Sequence, residues 1–343
     1  MNFKLFFISL LTTFVSIYSD TECPTIINPL DRRLNKTSTY TIMQYNAQWL
    51  FIDYYEGSKC PGSGCDWANV TEATTHLQNV AEVIKKLDPD IINFCEIEGC
   101  DELNILISTI NNTEYKPYLK KGTDSSTGQN VGMITKIDPM STLYRIENRV
   151  EYPIKESTCG YTGTPSSSTV SKHYITEFLL KNIKIAMISA HLIAYPLDIE
   201  RCAQREAQTQ VLQEIIFNYY SSGYEIIMIG DFNDFDDEVM DSNNNKPISQ
   251  ALNILKGISG IYKNKYELKS ATELIPQNNR FTDWYDKNSD CKSTPSEFSM
   301  IDHILLTPFL HDKILNAYIY QEYAEFCGKY NSDHYPIIIE IQL

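Results

Sequence analysis

Several polar side chains able to hold a cation or carry a proton stand at the ends of short apolar runs. The stretch EIIMIGDFNDFDDEVMD, Glu225 to Asp241, passes from an apolar segment straight into Asp231, Asn233, Asp234, Asp236 and Asp237. Carboxylates this crowded repel one another, and each is costly if buried unpaired. A divalent metal would compensate them. Solvent around an acidic turn would do the same, and for Asp234, Asp236 and Asp237 the residues leave both readings open. The pattern recurs elsewhere: Asn46 follows YTIMQY, Glu96 follows DIINFC, His191 follows IKIAMISA, Asp302 lies in SMIDHILL, and Asp333-His334 precede YPIIIEIQ. Taken singly, each has an ordinary role as a cap, an ion-pair partner or a structural histidine. Strands that end on the same side of a sheet would instead gather them at one rim as an active site.

What must position these groups is an alternation of strand-like and helix-like segments beginning at Thr39. YTIMQYN, DIINFCEI, NVGMITK, YITEFLL, IKIAMISAHL, EIIMIGDF, SMIDHILLT and YPIIIEIQ read as strands, and TTHLQNVAEVIKKL, DELNILISTI and ISQALNILK as helices. The clearest helix runs from about Glu200 to Tyr219. There Ala203, Ala207, Val211 and Ile215, with Leu212, Ile216 and Tyr219, form one apolar stripe at helical spacing. Strand pairs mixed with strand-helix alternation predict an α+β sandwich. No linker or repeat divides the chain, so residues 39–343 read as one catalytic domain behind an irregular lead-in, residues 20–38.

The first 19 residues read as a signal peptide: Lys4, an apolar run from Leu5 to Ile17, then the small Ser19. That run is shorter than the roughly 20 residues a membrane span needs. The final HYPIIIEIQL is too short for a lipid-anchor tail and lacks the small-residue site and polar spacer before it. A secreted or lumenal protein with no stable membrane association and no obligate protein partner is expected. The acceptor triplets at Asn35, Asn69 and Asn111 fit that compartment, as do nine cysteines, most of which should pair. Cys60 and Cys65 in CPGSGC are expected to staple a local loop, and Cys95, inside an apolar run, to be a buried free thiol. The net charge of −15 becomes −16 once residues 1–19, whose sole charge is Lys4, are removed. Such a chain cannot grip polyanions by bulk charge. If it acts on phosphates, a metal must bridge them.

The ordered set Asn46, Glu96, His191, Asp231-x-Asn233, Asp302 and Asp333-His334, with GDFND, SDHYPI and the HL after a strand its most specific elements, resembles the endonuclease/exonuclease/phosphatase superfamily. This is the deoxyribonuclease-I-like fold shared by pancreatic-type deoxyribonuclease, apurinic endonucleases, neutral sphingomyelinases and inositol-polyphosphate 5-phosphatases. The resemblance covers roughly Thr39 to Leu343. It implies a four-layer α/β sandwich, two mixed β-sheets packed face to face with helices on the outer faces. It also implies a metal-dependent phosphoric-ester hydrolase, a nuclease acting on extracellular DNA or RNA. A sphingomyelinase-like or inositol-phosphate hydrolase is the alternative, and a binding protein with an abandoned site is a third reading, against which the complete residue set speaks.

By this resemblance Glu96 is the main metal ligand, with Asn46 and Asp333 helping, and hard oxygen donors suit Mg²⁺, with Ca²⁺ or Mn²⁺ as alternatives. Asp231 and Asn233 would orient water and phosphate. His334, held by Asp302, and His191 would supply imidazoles to move protons or stabilise the transition state. Which of His334 and Asp231 is the base stays open. Gln129 and Asn130 are expected to contact substrate, whereas Arg201 and Arg205 read as partners of helix carboxylates such as Glu206 or Glu214. Two positions depart from the family. Cys95 stands where many relatives carry Gln, and Glu98 stands where pancreatic-type deoxyribonucleases carry a DNA-contacting Arg.

Overall fold

Residues Thr39–Leu50 form strand β1, whose alternation shows why two sheets must face each other. Tyr40 and Ile42 enter one apolar layer, while Met43, Tyr45 and Ala47 on the opposite face enter another. The computed structural model describes residues 23–52, 60, 65–323 and 331–343. Within them the chain continues through α1 (Val70–Leu87), β2 (Ile91–Ile97), α2 (Cys100–Ile110), β3 (Lys116–Leu119), β4 (Asn130–Thr135), β5 (Val150–Tyr152), β6 (Ser166–Ser168), β7 (Lys172–Leu180) and β8 (Ile183–His191). It then forms α3 (Ile199–Ser221), β9 (Glu225–Asp231), α4 (Ala251–Leu255), β10 (Lys269–Ser270), β11 (Asp283–Trp284) and β12 (Phe298–Ser299). The last elements are β13 (Asp302–Leu306), α5 (Pro308–His311), β14 (Ile314–Ile319) and β15 (Ile337–Gln342).

Six strands make the first sheet in the order β14-β15-β1-β2-β4-β3, and five make the second in the order β10-β13-β9-β8-β7. Each sheet is mixed, with one parallel pair at its centre: β1 with β2, and β8 with β9. Ile42, Ile91, Met133 and Ile339 of the first sheet meet Tyr174, Met187, Ile227 and Ile304 of the second in the layer between them. Leu77, Val80, Ala81 and Ile84 of α1, with Leu103 and Leu106 of α2, cover the outer face of the first sheet. Val211, Leu212 and Ile215 of α3, with Leu252 and Leu255 of α4, cover the second. The result is a four-layer α/β sandwich of two mixed sheets with helices outside.

Local chemistry sets the element limits. Asn69 caps α1 by accepting from the Glu72 N–H, so the helix starts at Val70, before the predicted TTHL. The predicted helix ISQALNILK is shorter than expected: Ser249 Oγ takes the Ala251 N–H and also bonds Asp234, so α4 opens only at Ala251. SMIDHILLT likewise enters the second sheet only at Asp302. Its first residues turn inward instead, where Thr282 Oγ1 accepts from the N–H groups of both Ile301 and Asp302.

The proposed signal peptide lies outside the described residues. The later part of the lead-in is tied down: Arg33 donates to Thr39 O and stacks on the Tyr40 ring, and Arg32 pairs with Asp138 at 2.6 Å. Disulfides join Cys23 to Cys100, Cys60 to Cys65 and Cys159 to Cys202; Cys291 is also disulfide-bonded, and Cys95 is a buried free thiol. Among the described residues no helix is long and apolar enough to cross a membrane. Asn35, Asn69 and Asn111 are all exposed.

Candidate active site

The two central parallel pairs carry most of the cluster. In the first sheet Asn46 pairs with Cys95, and the register then shifts before Leu50 meets Ile97. Gln48, Trp49 and Glu96 take left-handed backbone angles there, φ 46°, 52° and 65°. Non-glycine residues hold such angles only where the surroundings over-determine them. Here the kink turns Glu96 so that its carboxylate accepts from Asn46 Nδ2 at 3.2 Å and from the Trp49 N–H at 3.1 Å.

In the second sheet His191 pairs in register with Asp231, and Asp231 with Asp302. Gly230 makes this possible: a Cβ built there would lie 1.9 Å from Ala190 O. Asn233, at φ 51°, turns the chain beyond β9; its N–H caps Asp231 Oδ1 at 2.9 Å and its Nδ2 donates to Leu192 O. His334 arrives from the other sheet, just before β15, and its Nδ1 lies 2.7 Å from Asp302 Oδ2.

Across the cleft Asn46 Nδ2 also donates to Asp231 Oδ2 at 3.0 Å and lies 3.4 Å from His334 Nε2. His191 Nε2 stands 3.5 Å from Asp231 Oδ2 and 4.0 Å from Glu96 Oε1. Asp333 Oδ1 is 3.9 Å from His334 Nε2. Asn46, Glu96, His191, Asp231, Asn233, Asp302, Asp333 and His334 therefore meet at one end of both sheets.

No sequence model of a known family matches the chain, and no curated protein does. Solved structures do. Truncated Caenorhabditis elegans TDP2 is 15% identical over 89% of this chain and 98% of that one, with a TM-score of 0.50. Humanized D. rerio TDP2 is 15% identical over 90% and 100%, with a TM-score of 0.53. An endonuclease/exonuclease/phosphatase family protein from Leptotrichia buccalis is 14% identical over 89% and 100%, at 0.51. This chain has the endonuclease/exonuclease/phosphatase fold.

On that fold the electrostatics push the site's groups apart. Burial and the neighbouring Asp302 charge raise Asp231 to about 8. Burial raises Glu96, and it raises Asp333 well above the ordinary carboxylate range. Burial also works against an imidazolium at His334, but the Asp302 charge and hydrogen bond outweigh it and lift His334 well above the usual histidine range. At His191 burial dominates and, aided by the charges of Lys172 and His334, pushes the imidazole well below that range.

The donor set suits a hard cation. Glu96, Asp231 and Asp333 offer carboxylate oxygens, and Asp333 Oδ1 is a buried atom with no hydrogen-bond partner among the described residues. Asn46, expected among the ligands, is oriented otherwise. Its Oδ1 accepts from the Gln48 N–H at 3.0 Å and its Nδ2 faces the carboxylates, so it bridges Glu96 and Asp231 as a donor.

The acids beyond Asn233 divide: Asp234 and Asp236 are buried in ion pairs and Asp237 is exposed. Asp234 pairs with the fully buried Arg205 at 2.8 Å, and Asp236 with Lys256 at 2.7 Å, while Asp237 accepts from Asn253 on the surface. Arg205 was expected to pair along its own helix; instead it donates to Asp234 and to the carbonyls of Ile193, Tyr195 and Pro196, fixing the loop after His191. Asp234→Ala would strand this guanidinium in the core. We expect it to destabilise the fold by about 3–5 kcal/mol, measured by urea unfolding.

Gln129 and Asn130 lie outside the cluster. Asn130 is buried, with Nδ2 spent on Glu98 O and Gly128 O and Oδ1 on the Gly122 N–H, so it shapes the preceding loop. Gln129 Oε1 accepts from Lys172 Nζ at 3.1 Å. Lys172, which went unnoticed in the sequence, opens β7 directly opposite His191 and acts electrostatically on both His191 and Glu96. Asp283 was missed too; its Oδ1 is 3.7 Å from His334 Nε2. Glu98, the departure from pancreatic-type deoxyribonucleases, is buried rather than presented to a substrate.

Proposed function

We propose that this chain is a secreted, divalent-metal-dependent phosphodiesterase whose substrate class is nucleic acid, DNA or RNA. The observation that carries the reading is the convergence of Glu96, His191, Asp231, Asn233, Asp302, Asp333 and His334 on one rim of this fold. Glu96 and Asp333, with Asp231 beside them, would hold the cation, which when bound supplies charge to a phosphate and lowers the cost of a negatively charged transition state.

The residues supply the rest. His334, kept protonated by Asp302, presents Nε2 to the cleft as a proton donor and a positive charge. Asp231, bonded by the Asn233 N–H and facing His191 and Asn46 in the cleft, is placed to take a proton from an attacking water. On this reading His334 is the acid and Asp231 the base. Neutral His191 offers Nε2 from the opposite wall, and Asn233 fixes the orientation of Asp231 through its N–H.

The deciding experiment assays purified protein, lacking residues 1–19, on plasmid DNA, RNA, sphingomyelin and a soluble inositol phosphate, each with Mg²⁺, Ca²⁺, Mn²⁺ or EDTA. Metal-dependent cleavage of either nucleic acid supports the reading. Turnover of sphingomyelin or the inositol phosphate alone moves the substrate class, and no turnover of any overturns the enzyme.

Lys172 tests the phosphate side of the site. A charge-assisted hydrogen bond contributes roughly 1.5–3 kcal/mol, so Lys172→Ala should lower kcat/KM about 10- to 100-fold. Steady-state hydrolysis of bis(4-nitrophenyl) phosphate reads this directly, and an unchanged kcat/KM would show that Lys172 serves only Gln129 and Asp124, whose Oδ2 lies 3.7 Å from its Nζ.

A further inference from the structure

The faces that meet between the two sheets should be apolar, and polar side chains break that rule next to the site. β1 sends Tyr40 and Ile42 into this layer and then Gln44; β2 sends Ile91 and then Asn93; β7 sends the phenol of Tyr174. Gln44, Asn93 and Tyr174 are each 0% exposed. An amide buried without partners costs roughly 1–3 kcal/mol. These are joined end to end. Tyr174 OH donates to Asn93 Oδ1 at 2.7 Å, Asn93 Nδ2 to Gln44 Oε1 at 2.5 Å, and Gln44 Nε2 to Asp302 Oδ1 at 3.0 Å.

The line starts on the second sheet, crosses to two neighbouring strands of the first, and returns to the second at Asp302. Its direction follows from the groups. With Oε1 occupied by Asn93, Gln44 must turn its Nε2 to Asp302. The other Asp302 oxygen, Oδ2, faces His334 Nδ1 at 2.7 Å, and the Asp302 N–H is taken by Thr282 Oγ1. A planar carboxylate held at both oxygens cannot rotate. Apolar side chains of similar size could fill the same space without any desolvation cost, and replacing both partners of a buried hydrogen bond in that way is often neutral for stability. The polar line ends on the group that orients His334, which gives a reason for its presence beyond packing.

We propose that Gln44, fixed by Asn93 and Tyr174, is a positioning residue that sets the plane of the Asp302 carboxylate and thereby the ring of His334. This rests on the reading of His334 as a group that meets the phosphate. Gln44 touches no reacting atom; it acts through Asp302.

The test is a double-mutant cycle on bis(4-nitrophenyl) phosphate hydrolysis with saturating Mn²⁺, using variants shown to be folded by circular dichroism. Gln44→Leu should lower kcat about 10- to 100-fold with KM nearly unchanged, the behaviour of an interaction used only in the transition state. Tyr174→Phe, which removes one oxygen at the far end, should lower kcat less. In a His334→Ala background Gln44→Leu should change kcat by less than about two-fold, because residues acting as one unit are not additive. A purely structural role predicts the same loss in both backgrounds, and that result would overturn the proposal. So would a wild-type kcat for Gln44→Leu. If Gln44→Leu does not fold, Tyr174→Phe enters the same cycle, and an equal loss with and without His334 is again fatal. If His334→Ala alone leaves kcat unchanged, the reading of the site itself fails, and the role of Gln44 falls with it.

Discussion

Glu96→Gln is expected to abolish most hydrolysis while leaving the protein folded. Glu96 sits at a kink in β2, its carboxylate held by Asn46 and by the Trp49 N–H, and its charge adds to the cost of ionising Asp333. A cation relieves that crowding, and a neutral amide of the same shape removes the charge it needs while keeping the volume. The same relief makes binding sensitive to pH. With Glu96 and Asp333 held above the ordinary carboxylate range when no ion is present, protons compete with the metal, so apparent metal affinity should rise as pH rises. Titration of Mn²⁺ by calorimetry at several pH values measures this, and EDTA should stop turnover. Full turnover of bis(4-nitrophenyl) phosphate in EDTA, or by folded Glu96→Gln, would falsify the metal assignment.

How much of this was legible depends on where each group's partner lies. The apolar runs before Asn46, Glu96, His191 and Asp231 stood out because an apolar run abutting a polar residue is a local pattern, visible without knowing what faces it. The stripe on α3 was equally local, although Arg205, Glu206, Gln208 and Gln213 are buried beside it, which no apolar pattern would announce. β14 escaped notice because it is an edge strand whose Leu315 is exposed, so its alternation is broken.

Long-range pairing hid the rest. Lys172 matters only through its register with His191, a fact of strand pairing rather than of sequence neighbourhood. Arg205 finds Asp234 across the turn after His191, not the helix carboxylates within its own reach. Gln44 and Asn93 are polar positions flanked by apolar residues in their strands, and only the second sheet places Tyr174 and Asp302 at either end of them. The acids after Asn233 could not be sorted from one another because their counter-charges, Arg205 and Lys256, come from two different helices or their ends.

His334→Ala should depress kcat far more than KM, by roughly 10²- to 10⁴-fold, the range that a positioned general acid or base contributes. The geometry supports a large effect: Nδ1 is committed to Asp302 at 2.7 Å, which leaves Nε2 as the atom facing Asn46, Asp283 and Asp333 in the cleft. His191→Ala should fall in a similar range for a different reason. Its neutral ring lies against Asp231, the group assigned to take the proton, so removing it leaves that carboxylate without its neighbour and opens the wall to water. Because the two imidazoles face one substrate from opposite sides, the double variant should lose less than the product of the single losses. Circular dichroism must first show that each variant is folded, since both histidines are also packed. A folded single variant that keeps nearly wild-type kcat on the best substrate would make that histidine a packing residue, and the division of labour between an acid at His334 and a base at Asp231 would have to be abandoned if that variant were His334→Ala.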